Sequence, residues 1–354
     1  MINTTNIEHK HDNVFGKTFA MYDKKEMINF IEPFKIRFER NNLNPHNVFD
    51  GKKCLDAGCG NGRGSIFMAM HGAKEIHSID ISATNIESTI KNAEMFGFSN
   101  IINTQLSSLE SLNFKDKSFD FVWCNGVLMH TYNPDKCLQE LARVLKIGGQ
   151  SWIYVYGSGG VYWYCVYKMR EMLKDYSESE CIMAMKLAQI PVPFLAEYMD
   201  DWKAPYLRTY TNNDFSKRLL ELGFKNTKPI FYGMDYDTSH RINSFKQDAI
   251  FLGEGDLRYF LQKESDFLEE NHPISDSIYG SDYIYPEIYK KIIDDKFVEI
   301  NKKVQNSLIF KVLACAYIQR NLRDKIFSST TQFNLSQFID YCEEAINLLD
   351  TLSK

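Results

Sequence analysis

An α/β fold, a doubly wound and mostly parallel sheet, is what this sequence predicts, and three observations predict it. Across residues 51–265, short apolar runs alternate with segments of helical periodicity. The first run ends in a glycine-rich bend, Gly58-Cys59-Gly60-Asn61-Gly62. The second ends on an acidic residue, Asp80, 24 residues after Asp56.

The elements follow in order. Met27, Phe30, Ile31, Phe34 and Phe38 predict a helix over Glu26 to Phe38 despite Pro33, part of an N-terminal helical segment (residues 1–50) that Asp50-Gly51 closes. Lys53 to Ala57 reads as the first strand, and the stretch after the glycine bend as a helix to Met70. Ile76 to Asp80 is the second strand. Ser82 caps a helix with Ile86, Ile90, Ala93 and Phe96 on one face. Ile101 to Leu106, Phe119 to Cys124 and Ser151 to Tyr156 are further strands. Pro134 to Leu145 is a helix with proline in its first turn, and Gly148-Gly149 connects it to the last of those strands. The next pair is delayed: a helix over Thr211 to Leu222 ending at Gly223, a strand near Pro229 to Met234, and a last strand over Leu257 to Leu261. Residues 157–206 are therefore an aromatic and helical insertion, and residues 266–354 a helical C-terminal extension.

Composition narrows the function. The 354 residues are 44% hydrophobic and 25% charged, enough for a sizeable core. A net charge of −5 argues against a nucleic-acid coat protein, which needs a basic footprint. Eight scattered cysteines without a C-x-x-C pair suggest neither a zinc site nor a disulfide framework, but core residues in a reducing compartment. The most apolar run, Leu308 to Ile318, contains Lys311 and falls short of the ~20 residues of a membrane span. The N-terminus lacks the apolar stretch of a signal peptide. A soluble, cytoplasmic protein is expected.

A strand ending in D-x-G-x-G-x-G lets the backbone turn sharply and approach a ligand that a Cβ would repel. Asp80, at the end of the next strand, is placed to accept both hydroxyls of a ribose. Gly64 leaves a dinucleotide reading open. Asp56 weighs against it, because an anion before the bend repels a pyrophosphate and suits the amino group of a methionine. S-adenosylmethionine is favoured over NAD.

With Leu55-Asp56-Ala57-Gly58-Cys59-Gly60-Asn61-Gly62, Ile79-Asp80-Ile81-Ser82, Ser118-Phe119-Asp120-Phe121-Val122, Asn125-Gly126-Val127-Leu128 and Arg143-Val144-Leu145-Lys146-Ile147-Gly148-Gly149, the sequence resembles the class I S-adenosylmethionine-dependent methyltransferases, in the group typified by ubiquinone and small-molecule methyltransferases. The resemblance is close over residues 50–156 and loose over 207–262. It implies a Rossmann-like methyltransferase sheet. It also implies that Asp56, Gly58, Cys59 and Gly60 cradle the methionine part, and that Asp80, with Ile81, holds the ribose. Asn125 and Gly126 would line the cofactor near its methyl. Ser108 stands where the family usually has an aspartate for the adenine amino group, and the Leu109 N–H would serve the ring nitrogen. No metal is expected, and the product would be S-adenosylhomocysteine.

The acceptor is less legible. His130, six residues past the fourth strand, is a general base for an oxygen or nitrogen acceptor, or a histidine that packs and caps a turn. Tyr156, Tyr162 and Trp163 are candidate walls of an acceptor pocket, against the alternative that the insertion needs large side chains for its own core; Trp152 and Tyr154 read as core. Arg208 would clamp an acidic substrate group or make a surface ion pair. Tyr22 would close over the site as a lid. His71 and His77 read as structural, and thiol-based chemistry through Cys59 and Cys124 is set aside. The C-terminal helices, residues 284–352, read as an oligomerisation or packing element, with a homo-oligomer as one outcome. The expected function is methyl transfer to oxygen or nitrogen of a small molecule, a biosynthetic intermediate or sugar, with no nucleic-acid or membrane partner. The alternatives are an RNA or protein methyltransferase, or a cofactor-binding subunit that does no chemistry.

Overall fold

The computed structural model describes residues 10–244, 248–266, 287–304, 306–328 and 335–352. The chain divides into two compact units. One draws on residues 1–157, 205–234 and 256–278, the other on residues 158–204, 235–255 and 279–354.

The first unit is built on a sheet of β1 (Lys53–Ala57), β2 (Glu75–Asp80), β3 (Ile102–Leu106), β4 (Phe119–Asn125), β5 (Leu145–Tyr156), β6 (Phe224–Lys225) and β7 (Asp256–Lys263). Their order is β3-β2-β1-β4-β5-β7-β6. β1 to β5 run parallel, and β7 lies antiparallel to both β5 and β6. The chain winds outward from β1 to β3, then returns to β4 on the other side of β1. That reversal opens a crevice beyond the carboxyl ends of β1 and β4, where such sheets place their ligand.

Its helices are α1 (Lys24–Arg40), α2 (Pro45–Phe49), α3 (Arg63–Met70), α4 (Ala83–Phe96), α5 (Pro134–Val144) and α6 (Asn212–Glu221). Each starts where the local chemistry allows. Asp23 and Glu26 form a reciprocal capping box on α1. The side chains of Ser82, Asn133 and Thr211 accept the first free N–H groups of α4, α5 and α6.

Both sheet faces are apolar, because the alternation within each strand sends one buried residue each way. Leu55, Val122, Cys124 and Ile153 pack with Leu138, Leu141 and Phe215. Cys54, Phe121, Trp123 and Trp152 pack with Phe34, Phe38 and Phe67 on the other face. The indoles of Trp123 and Trp152 stack with centroids 5.3 Å apart.

Two expected elements differ. β5 begins at Leu145, so Gly148-Gly149 lies inside the strand, and a register shift between Phe119 and Phe121 absorbs it. No strand forms at Pro229 to Met234. Proline 229 has no N–H to give, and a single bond from Ile230 to the Arg258 carbonyl takes the place of a ladder.

The second unit is helical: Gly160–Leu173, Glu178–Leu187, Val192–Lys203, Glu287–Val304, Leu308–Ser328 and Leu335–Leu352, with short helices at Thr238–Ser244 and Ala249–Leu252. Pro191 is the N-cap of Val192–Lys203 and Pro193 sits in its first turn, where a missing N–H costs nothing. The C-terminal helices bury Ile293, Phe297, Ile300, Cys315, Ile318, Phe338, Cys342 and Leu349 within this unit. That is the packing alternative.

Candidate active site

The glycine bend is wired to its neighbours through the backbone. The N–H groups of Gly58 and Cys59 both donate to the Ile79 carbonyl, at 2.8 and 2.9 Å. The Gly60 N–H donates to Asp80 Oδ2 at 2.9 Å. On the other side α4 grips the bend: Thr89 Oγ1 donates to the Gly60 carbonyl and Asn92 Nδ2 to the Asn61 carbonyl, both at 2.9 Å. Cys59 packs its thiol 3.4 Å from Thr89 Oγ1. Thr89 and Asn92 were not foreseen. Their signal is two polar residues three apart on the buried face of the helix after Asp80, where apolar residues are the rule.

Asp80 is the hub. Its Oδ1 accepts from the Ser82 N–H at 2.9 Å and from Asn85 Nδ2 at 3.2 Å. With the Gly60 and Ile81 N–H groups also turned toward it, the carboxylate is tied to the backbone of both the bend and the start of the next helix. Burial raises its pKa, and these hydrogen bonds oppose the rise. Beside it lies an apolar ledge: Ile81 is 37% exposed, and Leu106, which faces Asp80 in register across β3, is 57% exposed.

Asp56 is sealed, at 2% exposure, and its Oδ2 accepts from Ser65 Oγ at 2.6 Å. Burial pushes this carboxyl up to about 6, with Ser65 and the Arg63 guanidinium opposing. Burial likewise pushes the thiols of Cys59 and Cys124 well up, so neither is a thiolate at neutral pH.

At the end of β4, Asn125 Oδ1 accepts from Trp152 Nε1 at 2.9 Å and the Gly126 N–H donates to the Tyr154 carbonyl at 3.1 Å. The next turn, Leu128–His130, buries His130 to 3% exposure. His130 Nδ1 lies 2.8 Å from the Tyr206 carbonyl. A carbonyl only accepts, so Nδ1 carries the hydrogen and Nε2 of the neutral ring presents the lone pair. The ring packs against Phe15, centroids 5.1 Å apart, and against the edge of Tyr156 at 5.7 Å.

The sheet unit thus gathers Asp56, Gly58, Cys59, Gly60, Asp80, Ile81, Asn125, Gly126, His130 and Tyr156 at one end of the strands. Ser108 follows β3, is exposed, and accepts the Glu110 N–H at 3.2 Å, while the Leu109 side chain is buried in the core. The Arg208 guanidinium donates to the carbonyls of Thr131 and Tyr132. Tyr162 belongs to the helical unit, 8% exposed, its hydroxyl donating to Asp201 Oδ2 at 2.8 Å in a buried network with Gln319 and Trp202. Trp163, beside it in the same helix, packs edge-on to that ring at 5.3 Å. Tyr22 packs on Phe30, whose face carries the Arg63 guanidinium at 3.7 Å.

Among the described residues, no three His, Cys, Asp or Glu side chains gather as a metal site, and no helix is long and apolar enough to cross a membrane.

Residues 55–153 match the family described as "Methyltransferase domain". The chain is similar to the sarcosine/dimethylglycine N-methyltransferase of Aphanothece halophytica, 33% identical over 28% of this chain and 36% of that protein. It is also similar to the ubiquinone biosynthesis O-methyltransferase of Coxiella burnetii, 28% identical over 36% of this chain and 51% of that protein. It therefore spans about a third to a half of the length of these relatives. The solved SAM-dependent methyltransferase of Aquifex aeolicus overlaps loosely, with a TM-score of 0.32 at 18% identity over 38% of this chain and 74% of that one. Residues 55–153 thus carry a methyltransferase domain, and the match supports the resemblance to the class I S-adenosylmethionine-dependent methyltransferases.

Proposed function

We propose that this chain transfers a methyl group from S-adenosylmethionine to oxygen or nitrogen of a small-molecule acceptor. The observation that carries the reading is the wiring of the glycine bend to Asp80, beside an apolar ledge. The residues present fit the cofactor. Asp80 stands at the end of its strand where a ribose hydroxyl would donate to it, Ile81 and Leu106 offer apolar surface to a base, and the bend and Asp56 suit the aminoacyl tail. When bound, the cofactor supplies a methyl group on a sulfonium, already activated toward a nucleophile. The chain's own task is then to align the acceptor, exclude water and, where the acceptor holds its proton, remove it. His130 Nε2 is the atom for that last step, and the aromatic rings of Phe15 and Tyr156 hold it in place.

The relatives' names, an N-methyltransferase of sarcosine and an O-methyltransferase of ubiquinone biosynthesis, support a small-molecule acceptor. The test is incubation of cell extract with methyl-labelled cofactor and the chain, with mass identification of the labelled product. Labelled small molecules support the proposal; label in RNA or protein alone, or none, counts against it.

Asp80→Ala is expected to weaken S-adenosylhomocysteine binding by ~10–100-fold, the loss of charge-assisted hydrogen bonds. Unchanged affinity by calorimetry removes Asp80 from the ribose. Asp56 makes a pH prediction. Its carboxyl titrates near 6, and only its ionised form attracts the ligand's ammonium. Affinity should rise as pH increases from 5 to 7, with protons released on binding near pH 6. Calorimetry in two buffers of different ionisation heat reads this directly. A flat profile with no proton release takes Asp56 away from the ammonium.

A further inference from the structure

We infer that residues 10–20 form a lid over the cofactor site, and that Asp12 is the latch that holds it shut. The inference rests on the reading of the Asp80 crevice as the cofactor site. The segment is a π-helix, Asp12–Gly16, running into Lys17–Phe19. π-Helices are rare and concentrate at functional positions.

This segment is anchored at two places. At the first, Asp12 Oδ1 accepts from Ser82 Oγ at 2.5 Å and from the Thr84 N–H at 3.3 Å, putting a negative charge at the N-terminus of α4. Ser82 connects the latch to the site, because its own N–H donates to Asp80. The approach is as close as a backbone can make: a Cβ on Gly16 would lie 2.7 Å from Ser82 Oγ and 2.9 Å from Thr84 Cβ. At the second anchor, Phe15 packs on the His130 ring, with His11 stacked on Phe15 at 5.7 Å. Burial and the neighbouring His130 pull the His11 imidazole down to about 4, so it enters this stack uncharged at neutral pH.

One short segment therefore spans from the Asp80 edge of the crevice to His130 beyond β4. A ligand held at Asp80 and at the glycine bend lies under a strap fixed on both sides of it. Entry and release require the strap to lift, and the Asp12 contacts are what must break. Closing it also seats Phe15 on the candidate base, so the same motion that traps the cofactor completes the wall around His130.

The test uses the full chain and S-adenosylhomocysteine as probe. Asp12→Ala should raise the ligand's dissociation rate by about tenfold or more, the scale of one or two charge-assisted hydrogen bonds. Phe15→Ala, at the other anchor, should act in the same direction. Without any ligand, Asp12→Ala should speed amide hydrogen exchange across residues 10–20 and leave the sheet's exchange unchanged, which also shows that the variant folds. Wild-type chain saturated with the probe should slow exchange in that segment. Unchanged dissociation and unchanged exchange in Asp12→Ala overturn the latch. Failure of the wild type to bind the probe is a separate result that removes the cofactor site and the lid with it.

Discussion

Replacing His130 by glutamine is expected to leave S-adenosylhomocysteine affinity within about twofold and to cut turnover by ~10²–10⁴-fold, the contribution of a positioned general base. The argument is geometric. The Tyr206 carbonyl fixes the tautomer, and the rings of Phe15 and Tyr156 fix the plane. A glutamine amide can still donate to that carbonyl, so the turn after β4 keeps its anchor while the basic nitrogen is lost. The pH profile separates the base from a packing role. A base gives an acid limb in turnover where the imidazole protonates, and His130→Gln abolishes that limb. Turnover at the wild-type level with the acid limb intact would return His130 to the turn-packing role.

Replacing Gly58 by alanine is expected to abolish detectable cofactor binding while the helical unit stays folded. Gly58 has φ +75°, a left-handed conformation that costs an L-residue ~1–2 kcal/mol. The space is also taken: an added Cβ would sit 2.5 Å from Val127 Cγ1 and 2.6 Å from Cγ2. Carbon atoms prefer about 3.5–4.0 Å, so Val127 or the bend must move. Overpacking of this kind costs ~1–3 kcal/mol. Together these exceed what the Gly58 and Cys59 hydrogen bonds to Ile79, about 1 kcal/mol each, can hold against. The bend should leave Ile79, and with it the Gly60 N–H should leave Asp80. Adding Val127→Ala relieves the overlap and not the dihedral, so the double variant should recover part of the binding. Wild-type affinity in Gly58→Ala alone would mean that the bend is not held as described.

Much of the sheet unit is legible because burial writes a period into the chain. Strands buried on both faces read as nearly continuous apolar runs, which is how Phe119 to Cys124, interrupted only by Asp120, stands out, and the helices over Ala83–Phe96 and Pro134–Val144 announce themselves by their caps. Asp56, the bend and Asp80 are legible for the same reason, being local in sequence. What holds them is not. Thr89 and Asn92 reach the bend from about 30 residues downstream, and Asp12 reaches Ser82 from 70 residues upstream. No periodicity marks such partners, since a polar side chain carries no sign of the atom it will meet. Arg208 shows the same limit. Its guanidinium serves two backbone carbonyls, and carbonyls have no signature in sequence. The helical unit is assembled from three separated stretches, an arrangement that composition along the chain does not reveal. Tyr162 reads as a pocket wall until Asp201 and Gln319, far away in sequence, arrive to bond it.

The most direct measurement is calorimetric titration of the full chain with S-adenosylhomocysteine and, separately, with NAD. A glycine bend tied to Asp80, with the Asp56 carboxyl behind it, should bind the first and ignore the second. Affinity for NAD with none for S-adenosylhomocysteine would contradict the account at its root.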